Sequence, residues 1–147
     1  MRAVVTRVKS ASVTVGGETV GQIEKGFLVL LGISVSDTEA QADKIADRLC
    51  GLRVFEDENG KMNLAPDIAG AQMLIVSQFT LYADCSSRRP GFTKAAGGAA
   101  AEPLYERCVS KVIEKGFTVA RGVFGAEMLV SSVNDGPVTL ILDTDEL

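Results

Sequence analysis

Two short segments of this 147-residue chain hold the residue types best suited to chemistry. The first is Ser77-Gln78-Phe79-Thr80-Leu81-Tyr82-Ala83-Asp84. An apolar run at 73–76 ends there in two hydroxyls, a side-chain amide and two aromatic rings. An interior strand that opens into such a set is a common place for a ligand. Ser77, Gln78 and Thr80 both donate and accept hydrogen bonds, and backbone amides at a strand end serve an oxyanion. The residues taken alone favour a plainer reading, a strand terminus with Phe79 and Tyr82 in the core. The second segment is Asn134-Asp135-Gly136-Pro137-Val138-Thr139. Its Asn-Asp-Gly-Pro order is first of all a turn signal, and it predicts a hairpin between two closing strands. Gly-Pro also admits a cis peptide bond, which would hold two neighbouring carbonyls as a rigid acceptor pair for an ammonium group.

What the sequence lacks narrows the chemistry further. It contains no histidine. That removes Ser–His and Cys–His hydrolase mechanisms, imidazole metal ligation and the commonest neutral-pH base. Hydroxyls, amides, carboxylates, backbone groups or the substrate itself must do the work. Cys50, Cys85 and Cys108 leave one thiol unpaired under any pairing and show no Cys-x-x-Cys spacing. Neither a disulfide framework nor a metal knuckle is indicated, and no metal or other cofactor is expected. The net charge of −4 argues against a nucleic-acid partner, but its distribution is uneven. Residues 86–121 hold seven basic groups (Arg88, Arg89, Lys94, Arg107, Lys111, Lys115, Arg121) against Glu102, Glu106 and Glu114. A local positive patch is compatible with an acidic total, and a solvated helix face accounts for the same charges equally well.

The elements that must position these segments follow from hydrophobic period and turn chemistry. Residues 2–9 read as a strand, and 11–15 and 18–23 flank Gly16-Gly17 as a hairpin. The continuous apolar run at 27–33 predicts a strand buried on both faces. Ser36-Asp37 offers a cap for a helix over 38–49, with Ala42, Ile45, Ala46 and Leu49 on one stripe and Gly51 as its stop. A small hairpin turns at Asp57-Glu58-Asn59-Gly60, and 73–76 is a second buried strand. Residues 95–101 look like a flexible approach to a helix that starts near Pro103 and stops at Gly116. Its apolar face is Leu104, Tyr105, Cys108, Val109, Val112 and Ile113. Strands at 118–121, 127–133 and 138–142 close the chain. The order ββ(βα)(βα)βββ predicts one α/β domain over 1–147, a mixed sheet in layers with its two main helices on one side. With 46% hydrophobic and 23% charged residues, the chain is neither disordered nor membranous. No secretory signal opens it, so the expected location is cytoplasmic.

Taken together, SQFTLYAD, RRPGF at 88–92 and NDGPVT closely resemble the D-aminoacyl-tRNA deacylases, the D-tyrosyl-tRNA deacylase family. So do MRAVVTRV, GFLVLLGIS and FEDENGKMN, in order and over essentially the whole chain. The resemblance implies a three-layer α/β/β fold with barrel-like mixed sheets. It also implies a homodimer that hydrolyses the ester between a D-amino acid, or achiral glycine, and the 3′-terminal adenosine of tRNA. The family's Ser-Gln-x-x-Leu motif falls on Ser77, Gln78 and Leu81. Its Asn-x-Gly-Pro-x-Thr motif falls on Asn134, Gly136, Pro137 and Thr139. By the same resemblance Gly136-Pro137 is cis and reaches into the partner's pocket, where its carbonyls hold the α-amino group so that an L side chain clashes.

An aminoacyl ester is already activated, so the absent histidine fits a mechanism built on position and oxyanion stabilisation. Backbone amides around Phe79 and Thr80, with Gln78 nearby, would stabilise the oxyanion while a ribose hydroxyl assists water. Thr80 as nucleophile is the lesser alternative, because no side-chain base is evident to activate it. Phosphate contact is expected from Arg88, Arg89 and Lys94, with Lys111 and Lys115 secondary. The expected partners are tRNA and a second copy of the chain, with neither DNA nor a membrane. Rival readings are a thiol hydrolase built on Cys85, a non-catalytic RNA-binding module and a structural interaction protein. The thiol would need a base the sequence does not show, and no RNA-recognition signature of aromatic-rich sheet type is present.

Overall fold

A glycine pair, two apolar runs and two amphipathic stretches set the course of the chain in the computed structural model, which describes residues Met1 to Leu147. Strand β1 spans Arg2–Val15 without a break. The glycine pair, with φ of 57° and 83°, turns it into β2, Glu18–Ile23. Strand β3, Gly26–Gly32, pairs antiparallel with the first half of β1, while β2 pairs with the second half. Lys9 and Ser10 interrupt the apolar pattern, but they mark a register shift in one long strand rather than a strand end.

Helix α1, Glu39–Gly51, buries the expected stripe of Ala42, Ile45, Ala46 and Leu49. Its cap is Thr38 rather than Ser36-Asp37. The Thr38 hydroxyl accepts from the Ala40 N–H, while the Gln41 side chain accepts from the Thr38 N–H. Asp37 is occupied elsewhere, by the Ser34 N–H and the Met1 ammonium. Strands β4, Phe55–Glu56, and β5, Met62–Leu64, make the small hairpin. Strand β6, Gln72–Ser77, then runs parallel to β3, with Ser77 opposite Leu31.

Helix α2 spans Gly98–Glu114, so it begins five residues before Pro103, which lies inside it. The stretch read as flexible contributes its first turn, where Ala101 is buried. Of the expected apolar face, Tyr105, Cys108, Val109 and Val112 are buried, whereas Ile113 is exposed. Two strands close the chain, not three: β7, Val119–Arg121, and β8, Leu129–Asp143. The predicted hairpin at Asn134–Pro137 does not form. Both flanking runs pair with the same strand β1, and the extra residues loop out as a bulge. From Thr6 to Val8, β1 advances two residues while β8 advances from Thr139 to Asn134.

The sheet runs β2-β1-β3-β6-β7, with β8 on the other edge of β1. It curls until β2 lies against β7, where a Cβ on Gly21 would sit 2.5 Å from the Arg121 carbonyl oxygen. Alternation along the buried strands then defines two cores. Phe27, Val29, Leu31, Met73 and Ile75 pack with the helices. Leu28, Leu74 and Val76 point the other way, onto Val8, Ala11, Val13 and Ile23 of the curled-over β1–β2 ribbon. Helices, central sheet and ribbon are the three layers of an α/β/β fold. No helix is long and apolar enough to cross a membrane.

Candidate active site

The chain leaves β6 at Ser77 and turns at once into a single 3₁₀ turn, Phe79–Tyr82. This turn lies directly on β3. A Cβ on Gly32 would stand 2.9 Å from Leu81 Cβ and 3.0 Å from the Gln78 carbonyl oxygen, so glycine permits the approach. Two bonds fix its pose, and a third anchors Arg2. The Gln78 N–H donates to the Leu31 carbonyl at 2.8 Å. Arg2 Nη1 donates to the Leu81 carbonyl at 2.8 Å, while Arg2 Nε holds Asp143 at 2.9 Å. The Arg2 guanidinium also lies 4.7 Å from the centroid of the Tyr82 ring. Burial pushes the Tyr82 phenol up to about 12, with Asp37 and Asp143 adding to the effect, so it is neutral at physiological pH.

The first N–H groups of such a turn have no internal acceptor. The Phe79 and Thr80 amides donate to no turn, loop or side-chain acceptor. Phe79, with Ser77 and Gln78, lines a cavity of about 500 Å3, and Thr80 follows it in the same turn. That volume suits a small-molecule ligand. Apolar side chains from Leu31, Ile33, Phe124 and Met128 line most of it. Gln78 Nε2 donates to Thr80 Oγ1 at 2.6 Å, and that hydroxyl touches no basic group. Phe79 is not in the core: the turn swings it outward, 56% exposed.

The second predicted segment stands elsewhere. Gly136 and Pro137 sit in the β8 bulge, joined by a cis peptide bond. Register places the bulge beside Thr6 and Val8, midway along β1, whereas Leu31 and, on the far side of β3, Ser77 lie level with Ala3 near its start. Strand geometry puts the two segments of one chain on the order of 20 Å apart. Asn134 Oδ1 accepts from Ser132 Oγ, and Thr139 Oγ1 lies 3.4 Å from Thr6 Oγ1. Behind the bulge is Arg7, only 5% exposed. Arg7 Nη1 donates to the Val54 carbonyl at 2.6 Å, and Nε lies 3.4 Å from Asp135 Oδ2. Gly136 has φ +117°, and a Cβ there would meet Val138 Cγ2 at 2.9 Å and Arg7 Nη2 at 3.1 Å. Glycine is therefore required twice, by conformation and by space.

The basic stretch divides in two. Arg107 pairs with Glu39 and Asp43, Lys111 with Glu114, Lys115 with Asp47, and Arg121 with Glu106. Lys111 and Lys115, expected as secondary phosphate contacts, thus each have a carboxylate partner on the surface. Arg88, Arg89 and Lys94 are exposed and form no ion pair. Arg88 and Arg89 ride a loop closed at its neck by two Asp84–Gly91 backbone bonds. Cys85 is exposed on the same loop and absent from the cavity wall, and no cluster of candidate metal ligands occurs. Burial pushes the Cys50 thiol up to about 11 and that of Cys108 to about 12, so neither supplies a thiolate.

Sequence reasoning missed Arg2, Arg7 and the far wall of the cavity. Gly97, Gly98 and Ala101, at the start of α2, and Phe124 to Ala126 build that wall. The small-residue run at 95–101 was the only signal: it keeps the helix start from filling the cavity.

Comparison with known proteins agrees over the same length. Residues 4–143 match the family model described as D-Tyr-tRNA(Tyr) deacylase. A D-aminoacyl-tRNA deacylase of Clostridioides difficile is 52% identical over 99% of both chains. That of Thermus aquaticus is 56% identical over 99% of this chain and 97% of its own. A solved structure titled c-Myc DNA Unwinding Element Binding Protein superposes with TM-score 0.92 at 40% identity, covering 98% of this chain and 99% of that one. A probable eukaryotic D-amino acid tRNA deacylase shares the fold alone, at TM-score 0.82 and 16% identity over 96% and 97% of the two chains. With full-length identity above half and a family model spanning both candidate segments, the chain belongs to the D-Tyr-tRNA(Tyr) deacylase family and is a hydrolase of that class.

Proposed function

We propose that this chain hydrolyses the ester joining a D-amino acid to the 3′-terminal adenosine of tRNA, releasing both in the cytoplasm. The observation that carries the reading is the pair of free N–H groups at Phe79 and Thr80, in a turn whose first residue lines an apolar cavity large enough for a nucleoside. Water adds to the ester carbonyl carbon, and the carbonyl oxygen takes up negative charge facing those two amides. Collapse of the adduct breaks the bond to the ribose oxygen, which leaves with a proton relayed from the water through the neighbouring ribose hydroxyl. Gln78 holds the Thr80 hydroxyl, and Ser77 and Leu81 complete the turn that carries the amides. No nucleophilic side chain is needed, because the ester is activated and held in place.

Chirality is assigned to the second segment, supplied by a second copy of the chain. Two observations support a homodimer. Within one chain Gly136-Pro137 lies on the order of 20 Å from Ser77 by strand register. In addition, the outer edge of β8 is unpaired and leaves Leu129, Val133 and Ile141 exposed. Gly136 and Pro137 of the copy would meet the substrate's α-carbon, positioned by Asn134 and Thr139 in the same bulge. An ammonium held by their carbonyls leaves an L side chain only occupied space, whereas a D side chain points outward. Glycine has no side chain to exclude, so glycyl-tRNA is cleaved as well. Arg88, Arg89 and Lys94 are left to hold phosphate.

The test is release of tyrosine from D- and L-tyrosyl-tRNA under one set of conditions. Cleavage of the D ester with the L ester intact is expected. Equal cleavage, or binding of both without turnover, overturns the proposal.

A further inference from the structure

We propose that Phe92, packed against Phe79, forms a stacking step for the unpaired base next to the terminal adenosine of tRNA, an inference that rests on the deacylase reading above. The two rings lie 5.1 Å apart at 68°, an edge-to-face pair, yet Phe92 is 40% exposed and Phe79 still more so. A pair of phenyl rings left largely in water marks a surface that something covers. Phe79 lines the cavity assigned to the terminal nucleoside, and Phe92 stands one ring further out. Phe92 directly follows the loop neck closed between Asp84 and Gly91, so the ring sits at the foot of the loop that carries Arg88 and Arg89. Arg88, Arg89 and Lys94 flank the ring in sequence without carboxylate partners.

Aromatic faces beside unpaired cations suit single-stranded RNA, which offers flat bases joined by phosphates. That charge complement favours RNA over an apolar protein surface. The two phenyl rings carry no hydrogen-bonding group, so stacking on them is tolerant of base identity.

Phe92→Leu keeps apolar bulk and removes the ring. It is compared with the unaltered protein on D-tyrosyl-tRNA and on the D-tyrosyl ester of adenosine alone. Losing one stacked base raises KM for the tRNA about tenfold with kcat unchanged. The adenosine ester, which lacks the neighbouring base, is cleaved as before, and Phe92→Tyr restores the tRNA KM. Equal losses on both substrates would overturn the proposal, because Phe92 would then only prop Phe79. So would no change on either substrate, or a shift in subunit dissociation by sedimentation, which would place the ring in a contact between copies. Failure of the deacylase reading is distinct: the unaltered protein would then cleave neither substrate.

Discussion

The 3₁₀ turn at Phe79–Tyr82 and the β8 bulge at Gly136-Pro137 are built on opposite plans. The turn is held from three sides by its own chain: Gly32 beneath it, Leu31 at its entry and Arg2 at its exit. Its first residue, Phe79, lines a cavity walled by the same chain. The bulge is backed by Arg7 and Val138, and its outer side faces solvent. On the proposed function, one region is a receptor for an oxyanion, and the other is a probe with nothing opposite it in its own chain. On that reading the difference divides the work: transition-state charge would be met inside one subunit, and stereochemistry would be judged by the neighbouring one.

The most severe way to break this division is to crowd the probe. Gly136→Ala should cut kcat/KM on D-tyrosyl-tRNA by about a hundredfold or more, because its Cβ cannot enter without moving Val138 or Arg7. Circular dichroism should show the fold unchanged, since the bulge lies outside both cores. Loosening the support behind the probe comes next. Arg7→Leu takes the donor from the Val54 carbonyl and the partner from Asp135. Thermal unfolding should fall by about 3–10 °C, and kcat/KM by about tenfold as the bulge loses its backing.

How much of this could be read in the sequence differs between the two regions. Buried strands, the Gly16-Gly17 turn and the α1 stripe were legible because each is set by residues near in sequence. The bulge was not. Asn-Asp-Gly-Pro is local turn chemistry, but β1 is long enough to pair with both flanking runs, and that long-range pairing decides against a hairpin. Pro103 misled in a similar way: it suits a first turn, yet packing of Ala101 and Tyr105 extends the helix before it. Site motifs were visible as residue types and through family resemblance. Their supports, Arg2 and Arg7, act across 79 and 47 residues of chain, and no local pattern marks them.

Two smaller effects sharpen the comparison from the receptor side. Changing both Arg88 and Arg89 to Ala should raise KM for tRNA and flatten the slope of log KM against log salt by about 1 to 2, while kcat stays near its original value. The same change in the paired bases Lys111 and Lys115 should leave the slope alone. Thr80→Ala, assayed for kcat, should cost less than about tenfold, since it removes only an acceptor for Gln78. A loss of about four orders of magnitude would make Thr80 a nucleophile and take the receptor's role from its amides.

The division between receptor and probe is tested most directly by mixing two defective chains. Phe79→Pro removes one receptor amide at the first position of the turn, where proline's φ is tolerated. Gly136→Ala damages only the probe. Each variant alone should be nearly inactive on D-tyrosyl-tRNA. Unfolded and refolded together in equal amounts, half of the dimers would carry one chain of each kind, and each of these has one intact receptor facing one intact probe. Activity should return to about a quarter of the unaltered level. A mixture that stays as inactive as its parts, though both chains fold and associate, would show that receptor and probe must belong to the same chain.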